Sequence, residues 1–209
     1  MSGVARGVAK FVMALTLLAL AGCVEGVVPG PPSDFIVISD FTVPEGAVRL
    51  DPSFGFSLYR GSPGVPTAQR AASIGRAVGF LVTDTIQQQL RALGYDAQST
   101  VDPAPHTGHR ALLVSGIFRE IDEGERRHPN EARSAVVADV QIKAEVPGVG
   151  ISAVQSFSVD SRSAPPAATA SAATSRETGV DADAARIGAQ IAAVVADVAR
   201  RNNWIPMRH

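Results

Sequence analysis

Several groups of side chains carry chemistry worth weighing. Ser115, in "VSGIF", offers a hydroxyl that a general base would turn into a nucleophile. The Gly-x-Ser-x-Gly elbow is absent, however, and the alternation around Ser115 places it inside a strand as a packed or hydrogen-bonded serine. His106 and His109, in "HTGH", have a spacing that a metal can use, but they lie in a Pro/Gly loop with no third ligand nearby in sequence, and they read as solvated. Asp122, Glu123 and Glu125 would serve as general acids or as a cation site. Arg126 and Arg127 follow at once, so the run reads as a mutually screened, solvated hairpin loop. Neither a phosphate-binding Gly-rich loop nor a dinucleotide fingerprint occurs. The expectation is a protein without a catalytic constellation, metal or cofactor. One thiol remains to be placed: Cys23, the only cysteine, which closes the only long apolar run, "FVMALTLLALAGC".

Arg6 and Lys10 precede that run, and no acidic residue occurs before Glu25. A bilayer-spanning helix needs about 20 apolar residues, so Phe11 to Ala21 is too short and reads as the apolar core of a signal peptide. The run ends in Leu20-Ala21-Gly22-Cys23, which resembles the bacterial lipobox. That resemblance implies alkylation of the Cys23 thiol by diacylglycerol, cleavage just before it, and acylation of the new amino terminus with a palmitate-like chain. Several acyl chains together anchor a protein where one alone binds only marginally. Val24 follows where an Asp would imply retention at the inner membrane. The expected address is therefore the periplasmic face of the outer membrane of a Gram-negative cell. The expected division is a cleaved lipoprotein signal peptide over 1–22, a lipidated cysteine with a flexible Pro/Gly tether over 23–33, and a single periplasmic α+β domain over 34–209.

A formal net charge of -1 leaves no electrostatic case for nucleic acid or for an anionic membrane surface. Contact with a membrane is expected through the lipid anchor. With 45% hydrophobic residues but only 5% aromatic, the core must be built from Val, Ile, Leu and Ala. Once Cys23 is lipidated no thiol is left, which excludes disulfides, thiolate metal sites and a cysteine nucleophile.

The elements follow from spacing. Phe35 to Phe41 is apolar on both faces, as in a central covered strand. Val43 to Pro66 is a long Pro/Gly-rich loop carrying Phe54, Phe56 and Tyr59, a candidate partner-binding loop. Thr67 to Leu93 has the helical period, with Thr67 as N-cap and Gly94 as left-handed C-cap. Gly75 and Gly79 fall on its apolar side, which would seat it close to a sheet; charged and Gln residues exclude the rival reading of a membrane dimerisation motif. Ala111 to Arg119 is a strand, Ala135 to Val146 alternates strictly, Pro147-Gly148 turns, and Ile151 to Val159 pairs back. Gly116 in mid-strand suggests a bulge or a close backbone approach, and Gly124 a turn of positive φ. Ser161 to Thr178 is a low-complexity loop, and Asp181 to Arg201 a helix with a narrow apolar stripe from Ala184 to Val198. The order strand, helix, three antiparallel strands, helix predicts an α+β two-layer sandwich, with a small mainly antiparallel sheet of about four or five strands and two amphipathic helices on one face.

Gly116-x-Phe118-x-x-Ile121-Asp122-x-Gly124-x-Arg126 resembles the signature of bacterial lipoproteins carrying the domain of unknown function 4410. The lipobox, Asp40-Phe41 closing the first strand, Leu90-x-x-Leu93-Gly94-Tyr95 closing the long helix, and the alanine-rich last helix add to that resemblance. In place of the Gly-rich stretch those proteins carry after the turn, this chain has "RHPNEARS", Arg127 to Ser134. The resemblance implies a compartment and a fold, and no activity. The functional expectation is an outer-membrane-anchored periplasmic lipoprotein. It would be a non-enzymatic accessory, assembly or interaction module that binds another envelope protein through the aromatic loop or an open sheet edge. The alternatives are a carrier of a lipid or other apolar ligand, held between helix and sheet, and a periplasmic hydrolase using Ser115 or the acidic run.

Overall fold

The computed structural model describes residues 35–51, 66–102, 105, 107–125, 133–163 and 179–204. Its elements are β1 (Phe35–Ser39), β2 (Val48–Arg49), helix α1 (Thr67–Ala92), β3 (Ala97–Thr100), β4 (Ala111–Asp122), β5 (Ala135–Val146), β6 (Gly150–Asp160) and helix α2 (Val180–Arg201). The class is α+β, as expected, but the sheet is larger: it has six strands in the order β3-β1-β4-β5-β6, with β2 beside the far half of β4. It is also mixed rather than mainly antiparallel. β1 runs parallel to both neighbours, Ile36 facing Ala97 on one side and Leu112 on the other. Only β4, β5 and β6 form an antiparallel meander.

The parallel half has a plain cause. A helix joining two neighbouring strands carries the chain back to its starting edge, so the second strand runs in the direction of the first. β1, α1 and β3 are such a crossover unit. β3 is missing from the expected order because "AQST" is short and polar and shows no period. The chain then crosses to the other side of β1 to begin β4. On the way, the amides of Thr107 and Gly108 donate to the buried Glu145 carboxylate at 2.9 and 3.1 Å.

α1 ends within a residue of its expected span. Pro66 occupies the N-cap and makes no side-chain cap bond, so Thr67 is the first helical residue and not the cap. Gly94 has the left-handed φ of 86° just past the helix end. Both helices pack on one side of the sheet around Ile38, Val82, Phe118, Ile142, Ile187 and Ile191. A Cβ on Gly75 would lie 2.9 Å from Val43 Cγ1, and one on Gly188 would lie 2.8 Å from Thr85 Cβ. These glycines set the spacing of α1 from the segment after β1 and of α2 from α1. α2 buries Ala192, Ala196 and Ala199 as well as its stripe, because it faces both the sheet and α1.

Candidate functional site

Leu20, Ala21, Gly22 and Cys23 lie outside the described residues, as do Phe54, Phe56, Tyr59, His106, Arg126 and Arg127. His109 is exposed, with its ring 6.0 Å from that of Phe35. Among the described residues, no group of three or more His, Cys, Asp and Glu could hold a metal ion.

On the sheet face away from the helices the registers bring small polar side chains into line. Thr100 faces Ser39, Ser115 faces Gln141, and Gln141 faces Ser156. Ser39 follows Ile38, whose partner is Val114, so it stands beside Ser115. Part of this row floors a shallow concavity of about 320 Å³ bordered by Asp40, Ile117 and Asp139. Ser115 is thus surrounded by hydroxyls and an amide. Among the described residues the lining supplies hydroxyls, the Gln141 amide and two carboxylates, Asp40 and Asp139, and holds no His or Lys. Asp139 accepts a hydrogen bond from Ser158 Oγ at 2.5 Å and pairs with Arg119. The serine bond first, then the guanidinium, holds its carboxyl below the usual aspartate range.

Gly116 is closely approached, but by a side chain and not by the expected backbone: a Cβ there would fall 2.2 Å from Cε1 of Phe41. The bulge lies elsewhere, at Arg119, where the β4–β5 register slips between Phe118 and Glu120. Gly124 takes φ of 67° as expected, its amide donating to Asp122 Oδ1 at 2.8 Å.

The acidic run is not uniformly solvated, which corrects the reading of Glu123. Its carboxylate is buried, accepts the Asp51 amide at 2.9 Å and pairs with Arg70 on the first turn of α1. The neighbouring arginines in sequence point to mutual screening, whereas the partner that counts stands 53 residues away. Glu123 is therefore a clamp between β4 and α1.

Among the described residues, two surfaces at opposite edges of the sheet are open to a partner. β6 is the outer strand of the meander, 11 residues long and exposed over its first half. At the other edge, between α1 and β3, lies a groove of about 250 Å³ with Phe80, Thr83 and Asp84 on one wall and Ser99 and Val101 on the other. Neither Phe80 nor this groove is visible to periodicity, since a lone exposed aromatic carries no pattern.

No protein-family model matches the chain. No curated protein matches it either. Among solved structures it is similar to a homolog of neuraminyllactose-binding hemagglutinin from Helicobacter pylori, at 10% identity and a TM-score of 0.36, over 84% of this chain and 93% of that one.

Proposed function

We propose that the protein is an outer-membrane-anchored lipoprotein of the periplasmic face, a non-enzymatic interaction module that accepts a strand from another envelope protein. The observation that carries this reading is β6. An unpaired strand edge presents a row of backbone donors and acceptors, and proteins usually blunt such edges with Lys, Pro or a covering segment. From Gly150 to Val159 this strand has no charged residue and no proline, and its one irregularity is a bulge at Val154. Added-strand binding uses such an edge for affinity and alternate side-chain pockets for specificity. The lipobox ending at Cys23 supports the anchor, and the loop carrying Phe54, Phe56 and Tyr59 is a second contact in the proposal. The apolar-carrier reading draws less support, because Gly75 and Gly188, which could leave space, are filled by Val43 and Thr85.

The anchor is tested by metabolic labelling with a palmitate analogue followed by membrane fractionation. Wild type should carry label in the outer-membrane fraction, and Cys23→Ala should lose both label and fraction; a labelled variant would overturn the anchor. The edge is tested with a photocrosslinker at Ser152 in intact envelopes. A discrete adduct should form and should disappear when Val154→Pro is added. An adduct indifferent to that proline would remove β6 as the contact.

A further inference from the structure

The groove at the β3 edge differs from β6 in chemistry. Phe80 is 73% exposed and Val101 84%, so two large apolar side chains face water across it. Thr83, only 4% exposed, lines the same groove, and its Oγ1 has no hydrogen-bond partner among the described residues. The edge backbone is partly committed. The carbonyls of Asp96 and Thr100 accept the amides of Ile36 and Asp40 at 2.7 and 2.9 Å, so these residues turn toward β1. The backbone groups of Ala97 face away from β1, and its carbonyl is taken by Gln87 Nε2 at 3.2 Å and Arg91 Nε at 2.9 Å. By strand alternation the N–H and C=O of Ser99 are the next pair presented outward, between Phe80 and Val101. Two carboxylates, Asp40 and Asp84, line the groove, and among the described residues no basic side chain does.

We infer that this groove binds an extended segment of a partner protein, laid along β3 as an added strand and carrying an apolar and a basic side chain two residues apart. Residues two apart in a strand share a face, so the apolar one meets Phe80 and Val101 while the Lys or Arg reaches Asp40 and Asp84. The Ser99 backbone pairs with the segment, which in turn offers Thr83 the polar partner it lacks. The charge of the lining selects a cationic segment over an acidic one. This goes beyond the β6 proposal and is separable from it, because the two strands are the opposite ends of the sheet order.

The test uses the full chain in detergent and two fluorescent peptides, TVTKTVTK and TVTETVTE, with binding read by anisotropy. The lysine peptide should bind and the glutamate peptide should not. Phe80→Ala should weaken binding by about tenfold or more, as loss of an aromatic anchor does. Asp40→Asn with Asp84→Asn should erase the preference between the peptides, and Ser152→Lys on β6 should leave it intact. Three outcomes would overturn the inference: no binding of the lysine peptide, equal binding of both, or binding lost with Ser152→Lys and kept with Phe80→Ala. A full chain whose sedimentation changes with Phe80→Ala would also overturn it, by showing that a second copy fills the groove.

Discussion

Glu123 accepts from two donors at separate places in the chain, the Asp51 amide and the Arg70 guanidinium, and its own side chain is nearly dry. Truncating it removes a buried acceptor from both. Glu123→Ala should cost about 3 kcal/mol, read as a fall in the urea midpoint at unchanged slope, and Glu123→Gln should recover part of the loss by keeping an acceptor for Asp51. Asp139 makes a prediction about pH. Its folded value lies below the usual one, so what it contributes is present above the ordinary carboxylate range and lost as pH falls through the depressed value. The residue is solvent-screened, and the effect to measure is the titration itself. The Asp139 carboxyl-carbon midpoint by NMR should lie below that of a free aspartate, and Ser158→Ala should raise it. At this scale little was legible beforehand. Gly124 is legible because glycine favours a positive φ, whereas the neighbour of Gly116 is the Phe41 ring, which a mid-strand glycine does not specify. The role of Glu123 is not legible either, since Arg70 is remote in sequence.

Among the elements, what could be read was whatever carries a period. β5 alternates as expected over Val136, Ala138, Val140 and Ile142, all buried. α1 ran long enough for its face to be unmistakable. β2, two residues long, and β3, short and polar, have no period, and their absence from the expected order turned a mixed sheet into an antiparallel one. The buried face of α2 is wider than its apolar stripe, because alanine and Gly188 signal nothing about burial until a second helix packs on them. That contact is testable. A methyl at 188 would sit 2.8 Å from Thr85 Cβ and 3.1 Å from the Val82 carbonyl, so it must push α2 off α1. Gly188→Ala should cost about 1–3 kcal/mol, more than its gain in helix propensity returns, and Thr85→Ala in the same chain should recover part of it by thermal denaturation.

For the molecule as a whole, one face of the sheet is roofed by helices and the two outer strands differ in their defences. β3 is short and its first outward carbonyl is occupied. β6 is long and uncharged until Asp160. Such an edge is sticky, and the purified chain should self-associate as its concentration rises, seen by light scattering. Ser156→Lys, placing a charge mid-strand, should reduce that association without shifting the unfolding midpoint by more than about 0.5 kcal/mol.

β1, the first described strand, is bonded by parallel partners on both flanks. Any tug transmitted from the chain ahead of Phe35 would therefore pull along the strand axis, straining two ladders simultaneously instead of peeling one rung at a time. A body held by that end resists mechanical extraction far better than one tethered through a peripheral hairpin, and single-molecule stretching from the amino side should rupture at higher force than stretching across β6.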